Sequence, residues 1–205
     1  MNKKWIYLFM LSLFILSGCA SLNGNVPFQY QPSLTSANKK INKIVGLNLL
    51  VDKRPKEDIS NTESIKDLPD KITSKLLEDF QKSEIFAKIH YNTEAEDEIV
   101  INGSINRFKW KATPNGLMFI PFLNLLIYFG IPTYDITGVT VITLEVKDNK
   151  SGQIIKTFRE SSESENTYNL YNFKTGDAGA ELAESFRDVA KKLKEDLLNK
   201  SDLAK

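Results

Sequence analysis

The sequence has very few of the side chains that build catalytic, metal and disulfide sites. Its 205 residues include one cysteine and one histidine. The single cysteine, Cys19, excludes an intramolecular disulfide, and the usual zinc sites need several Cys or His ligands. We interpret His90 as a half-exposed residue of a strand. The sequence therefore predicts no catalytic residue, no metal site and no cofactor.

Neither sign of charge is in excess. The chain has 27 Lys and Arg against 26 Asp and Glu, a formal charge of +1. Loss of Lys3 and Lys4 with a leader peptide leaves 25 basic side chains against 26 acidic ones. Nucleic-acid-binding domains carry a basic patch or stripe, so this balance argues against nucleic acid as a partner. The carboxylates of residues 94–98 lack the pattern of a calcium loop, and we interpret them as a solvated turn.

No apolar run is long enough for an ordinary transmembrane helix. The longest one near the start covers residues 5–16, follows a short basic segment, and is followed by Ser17, Gly18 and Cys19. A transmembrane helix needs ~20 apolar residues, whereas a basic start, ~7–15 apolar residues and small residues at a cleavage site form a secretory signal peptide. We therefore predict that residues 1–18 are a signal peptide.

The residues around the cleavage site are more specific than a general signal peptide. Leu16-Ser17-Gly18-Cys19 resembles the lipobox of bacterial lipoproteins. This resemblance implies cleavage between Gly18 and Cys19, diacylglycerol on the Cys19 sulfur, and often a third acyl chain such as palmitate on the new amino group. Two or three chains anchor a protein stably, whereas one chain is marginal. The implied partner of Cys19 is thus the membrane.

Residue 20 bears on which membrane holds the protein. In lipoproteins of bacteria with two membranes, an Asp after the lipidated cysteine commonly causes retention at the inner membrane. This chain has Ala20 instead. The resemblance therefore implies the periplasmic face of the outer membrane rather than the inner membrane.

The mature chain divides into three parts. Residues 19–42 contain Ser, Asn, Gln and Pro without a steady period, which predicts a lipidated tether. Residues 43–198 suit one domain, because ~100–200 residues per domain is usual. Residues 199–205 form a C-terminal tail.

Apolar periodicity predicts the secondary structure of the domain. Residues 52–66 are expected to form a polar loop. A helix is expected to begin at the cap Asp67 and end near Ser83, and apolar side chains at steps of three and four define a second helix after Gly176. Strands are predicted at 43–51, 86–91, 99–110, 134–147 and 153–163.

The order of these elements predicts an α+β fold. We expect a mostly antiparallel sheet with two amphipathic helices packed on one face and an apolar insert between strands. Ile99, Ile101 and Ile105 share one parity, whereas Phe108 and Trp110 have the other. A β-bulge near residue 106 reconciles them.

The element order also carries a second resemblance. With the phrase Val51-Asp-Lys-Arg-Pro55 after the first strand and Asp148-Asn-Lys-Ser-Gly152 in the hairpin, it resembles a group of periplasmic lipoproteins. Their α/β fold is related to the N-terminal domain of the translocation protein TolB and to curli-secretion lipoproteins. The resemblance spans residues 43–198, is one of pattern, and transfers no functional residue.

Residues 117–131 form an uncharged apolar insert bounded by glycine and proline on both sides. Three interpretations remain: burial against the sheet, docking of a partner protein, or insertion into lipid with Trp110, Tyr128 and Tyr134 near the headgroups. Burial is the one we favour narrowly, because exposed apolar runs invite aggregation. If the insert is an interaction surface, the large side chains that form this surface are those of Phe119, Phe122, Leu126, Tyr128 and Phe129.

These features predict a membrane-anchored protein of the cell envelope that is not an enzyme. The first hypothesis is that it acts by binding an envelope protein during assembly, transport or maintenance. The alternative is an auxiliary lipoprotein of a transport system that binds lipid or a small apolar ligand.

Overall fold

The computed structural model describes residues 28–32, 39–62, 65–114, 116, 129–169 and 175–200. Six strands and three helices lie within these ranges. The strands are β1 (Ile41–Leu47), β2 (Val51–Asp52), β3 (Phe86–Tyr91), β4 (Ile99–Pro114), β5 (Pro132–Asp148) and β6 (Ile154–Asn169). The helices are α1 (Lys56–Asn61), α2 (Leu68–Lys82) and α3 (Thr175–Lys200).

The strands form one mixed, open sheet in the order β3-β1-β4-β5-β6, with β2 also paired to β4. The α+β class is confirmed, but the expectation of a mostly antiparallel sheet is corrected. β1 is parallel to both β3 and β4, and β2 is parallel to β4. The reason is that α2 returns the chain to the starting end of β1, which makes β3 parallel to it. Residues 92–98 then cross to the other side of β1.

The antiparallel part of the sheet consists of three long strands. β4, β5 and β6 are paired along almost their whole lengths. The register of β4 against β5 shifts between Ile105 and Arg107, so the predicted bulge at residue 106 is confirmed. The bulge turns Phe108 and Trp110 to the same face as Ile105, and all three are buried.

The core lies on one face of the sheet, beneath α2 and α3. Both helices bury the apolar stripe that the sequence predicts, because a period of three and four places those side chains on one side. The fully buried members on α2 are Ile72, Leu76 and Phe80, and those on α3 are Leu182, Phe186, Val189, Leu193 and Leu197.

Helix α3 approaches the sheet closely at Gly138 of β5. A Cβ atom there would lie 2.5 Å from the backbone carbonyl of Glu181, so only glycine fits. Next to it, the hydroxyls of Thr140 and Ser185 are hydrogen bonded at 2.8 Å in a buried position. Small and polar residues therefore set the distance between α3 and the sheet here.

The expected polar loop at residues 52–66 contains a third helix, α1, so the expectation of two helices is corrected. Its Asp58 is buried and binds Arg107 of β4. The start of α2 after residue 67 is confirmed, but Asp67 has a φ of 52° and makes no side-chain capping bond. Its role there is to turn the chain in the left-handed region, which Asp tolerates better than most residues.

Part of the segment expected to be a tether packs on the domain. The ring of Phe28 meets Phe108 and Phe186 at centroid distances of 5.2 and 5.8 Å, and the ring of Tyr30 meets Phe186 at 4.7 Å. Tyr30 is 4% exposed. The packed part of the chain therefore includes residues 28–32, ahead of the expected domain start at 43.

Candidate functional site

The apolar insert leaves the domain at the tip formed by the end of β4 and the start of β5. Pro114 is paired with Tyr134 at this end, and Pro132 is paired with Asn169 of β6. The side-chain amide of Asn169 donates to the carbonyl oxygen of Gly130 at 3.1 Å. Three strands thus hold both ends of the insert close together, and we call this end of the sheet the tip.

Phe129 is the one residue of the possible interaction surface that the structure describes. It is 82% exposed, so the favoured burial against the sheet does not apply to it. Phe119, Phe122, Leu126 and Tyr128 lie outside the described residues, as do Gly18 and Cys19. The lipidation site therefore stays a prediction from sequence, and so does the burial or exposure of the rest of the insert.

The described N-terminal residues, 28–32, pack between the two long helices and β4. Tyr30 donates a hydrogen bond to the buried carboxylate of Asp79 at 2.9 Å, and Asp79 pairs with Lys194 at 2.7 Å. Phe28, two residues earlier, contacts Phe108 of β4. Both rings contact Phe186 of α3, so this short segment is held by α2, α3 and the sheet together.

The phrase Val51-Asp-Lys-Arg-Pro55 builds a charged network beside β4. The guanidinium of Arg54 donates hydrogen bonds to both carboxylate oxygens of Asp52, at 2.9 and 2.8 Å. This hydrogen bonding lowers the pKa of Asp52. Arg54 also donates to Thr62 at 2.5 Å. The network fixes α1 against the sheet, which is a structural role for residues that the sequence singled out only as a resemblance.

A second cluster of charged residues holds residues 92–98 against β1. His90 Nε2 lies 3.1 Å from Oδ1 of Asp97, whose carboxylate is buried, and the other oxygen accepts the backbone N–H of Glu94 at 2.6 Å. Asp97 Oδ2 would lie 2.5 Å from a Cβ on Gly46. Asp97 is therefore not part of a solvated turn as expected, whereas Glu94 and Glu96 are exposed.

Tyr168 links the last strand of the sheet to helix α3. It stands on β6 and donates a hydrogen bond to Glu181 of α3 at 2.9 Å. The other carboxylate oxygen of Glu181 accepts from Ser164 at 2.5 Å. The pKa of Tyr168 is raised by burial of its phenol group, which has the larger effect, and by the hydrogen bond to Glu181.

The face of β4, β5 and β6 turned away from α2 and α3 carries charge in separate rows. Cross-strand register places Lys109, Val139 and Glu163 side by side, and Lys111, Thr137 and Glu165 in the next row. In these two rows β4 supplies cations, β5 small neutral residues and β6 anions, whereas further along β6 the exposed Arg159 lies beside Thr143 on the same face. We call this surface the open face.

Two absences apply to the described ranges alone. Among them, no group of three or more His, Cys, Asp or Glu residues is arranged to hold a metal ion. No described helix is both long enough and apolar enough to cross a membrane.

Comparison with known proteins finds similarity in structure but not in sequence. No protein-family model matches the chain, and no curated protein matches it. A Xanthomonas campestris protein of family DUF330 is similar over 82% of this chain and 92% of its own, with 7% identity and a TM-score of 0.55.

Two further solved structures are similar. A candidate homolog of neuraminyllactose-binding hemagglutinin from Helicobacter pylori has 12% identity and a TM-score of 0.51, over 85% of this chain and 95% of its own. A minor lipoprotein from Acinetobacter baumannii has 9% identity and a TM-score of 0.43, over 78% of this chain and 95% of its own. At such low identities the likeness concerns the fold alone.

Proposed function

We propose that this chain is a lipid-anchored protein of the bacterial cell envelope that acts by binding another envelope protein rather than by catalysis. The observation that carries the proposal is Leu16-Ser17-Gly18-Cys19 behind a basic and apolar leader. Ala20 favours the periplasmic face of the outer membrane. The proposed role is in envelope assembly, transport or maintenance.

The position of Phe28 supports the anchor. Cys19 precedes Phe28 by nine residues, and nine extended residues span at most ~30 Å. The six steps along β4 from Phe108 to Pro114 cover ~20 Å, so an extended tether is long enough to reach past the tip. Acyl chains on Cys19 would therefore hold the domain close to the membrane.

The experiment for the anchor compares the full chain with its Cys19→Ser variant in cells. We expect the variant to lose labelling by a radioactive fatty acid and to move from the membrane fraction to the soluble fraction, because the thiol is the only attachment point for diacylglycerol. Ser17→Thr leaves the thiol in place and serves as the control. A Cys19→Ser variant that stays in the membrane after an alkaline carbonate wash would contradict the proposal.

The exposed Phe129 supports the binding role and allows the two hypotheses to be compared. A photocrosslinking residue at position 129 of the full chain should form an adduct with protein in intact cells. The alternative, a module that binds lipid or a small apolar ligand for a transport system, predicts an adduct with lipid instead. Lys88 on β3 is exposed and provides the control position. Protein adducts of equal yield from both positions would count against a binding role for the tip.

A further inference from the structure

Three properties of the open face suit contact with a second copy of the chain. Lys111, Glu163 and Glu165 are exposed and form no ion pair among the described residues. β5 lies between the lysines of β4 and the glutamates of β6 and keeps them ~10 Å apart, twice the usual strand spacing. The opposite charges therefore do not neutralise each other within one copy. The helices that cover the core, α2 and α3, lie on the other face, and α1 reaches the open face only along β4, where its Asp58 pairs with Arg107 and Lys109.

We propose that two copies of the chain pack open face to open face about a two-fold axis parallel to β5. This axis places β4 of each copy opposite β6 of its partner, and β5 opposite β5. Lys109 then faces Glu163 of the partner subunit, and Lys111 faces the partner's Glu165. Val139 meets its own copy at the axis.

The charge pattern selects this axis over the alternative. A two-fold axis in the same plane but perpendicular to β5 would place β4 on β4 and β6 on β6, so that cations face cations and anions face anions. Like charges brought together across an interface are disfavoured, and complementary rows fix its register. Asp58 pairs with Arg107 at 3.1 Å and with Lys109 at 3.7 Å, and it offsets part of their charge. Lys111 is the cation of β4 on this face that has no ion pair among the described residues.

The middle strand suits the centre of such an interface. The residues of β5 on the open face between positions 137 and 143 are Thr137, Val139, Val141 and Thr143, all uncharged. Charged residues are depleted at interface centres and more common at their rims. The charged residues of this strand on the open face, Asp135, Glu145 and Lys147, lie nearer its ends, and Glu145 pairs with Lys147.

The size of the open face is close to what a specific dimer needs. β4 has 16 residues, and at ~3.3 Å per residue and ~4.8 Å between strands the three strands present roughly 50 by 14 Å. That is about 700 Å² per copy, against about 800 Å² per partner in an interface of standard size.

The path of the N-terminal segment is consistent with the same axis, and this step rests on the proposed lipid anchor. A two-fold axis parallel to the strands keeps the tips of both copies, and hence both Phe28 ends, on one side of the dimer. Both acyl anchors can then enter one membrane. An axis perpendicular to the strands would place the two tips at opposite ends of the dimer.

The test uses full-length chains with two different epitope tags, expressed together and extracted in mild detergent. The first variant reverses the row on β4 (Lys109→Glu and Lys111→Glu), and the second reverses the row on β6 (Glu163→Lys and Glu165→Lys). We expect tagged wild-type copies to purify together and each variant paired with itself to do so at least tenfold less. Mixing the two variants should restore recovery, because the four acidic positions of one open face then lie opposite the four basic positions of the other.

A control reverses two exposed charges on α3, Lys191→Glu and Glu195→Lys, and should leave recovery unchanged. Thermal melting identifies any charge variant that fails to fold, and such a pair is replaced by its neutral glutamine counterpart. Wild-type copies that do not purify together would overturn the proposal without any variant. A mixed pair of folded variants that is not recovered would overturn it as well. Membrane fractionation of the same samples reports on the lipid anchor separately.

Discussion

The two faces of β4, β5 and β6 differ sharply although the same strands supply both. On the face beneath α3, Ile142, Leu144 and Val146 of β5 are fully buried. On the open face of the same strand, Thr137, Val139 and Thr143 keep part of their surface exposed, and Val141 alone of these four open-face residues is buried. Alternation along a strand assigns residues to two faces, and the comparison teaches that the apolar face supplies the stability here. The open face is the one that we propose to pack against a second copy.

The largest effect on the helix-covered face should come from Leu193→Asp on α3. Leu193 is fully buried, so the change removes apolar packing and buries a carboxylate without a partner. We expect a loss of about 5 kcal/mol or more in the free energy of unfolding. Urea denaturation of the mature chain carrying Cys19→Ser measures it. Lys191→Asp, two residues earlier and exposed, is the control, and equal midpoints for the two variants would show that α3 is not docked by Leu193.

The next largest effect concerns charge, and compares a buried ion pair with an exposed one. Asp79→Asn should cost about 3–5 kcal/mol, because Lys194 is left as an uncompensated buried cation. Replacing both partners, Asp79→Leu with Lys194→Met, should recover most of that loss. Glu78→Gln on the same helix breaks contacts with Lys75 and Lys82 at the surface, and pairs of that kind contribute ~0–1 kcal/mol. Similar losses in the free energy of unfolding for Asp79→Asn and Glu78→Gln would show that the buried ion pair matters no more than the exposed ones.

The smallest effect sharpens the comparison within β5 itself. Leu144→Ala on the covered face should cost about 2–4 kcal/mol, as expected for a buried leucine that leaves a cavity. Val139→Ala on the open face should cost well under ~1.5 kcal/mol in the monomer, because part of that side chain is already exposed. Chemical denaturation at low protein concentration compares the two. A larger loss for Val139→Ala would mean that the open face is covered within one copy.

Much of the fold could be predicted from the sequence because it depends on periodicity. The stripe on α3, the strands and the bulge at residue 106 all follow from the spacing of apolar side chains. Parallel pairing of β1 could not be predicted in this way, because pairing partners depend on how residues 92–98 cross β1. The short helix α1 was missed because its six residues carry no apolar stripe.

The buried charges could not be predicted from sequence. Asp58, Asp79, Asp97 and Lys194 are all buried, although each has a charged residue next to it in the sequence. Asp58 pairs with Arg107 and Asp79 with Lys194, far apart in sequence, whereas Asp97 contacts His90, seven residues before it. Periodicity assigns such residues to the solvent, and tertiary contacts alone reverse that assignment.

The central claim is that one face of the sheet stabilises the domain and that the other packs against a second copy of the chain. Its most direct test is photocrosslinking in intact cells, with the crosslinking residue at Thr137 on the open face or at Lys191 on the outer surface of α3. The account predicts an adduct of twice the chain mass from Thr137 and none from Lys191. Adducts from Lys191 and none from Thr137 would contradict it.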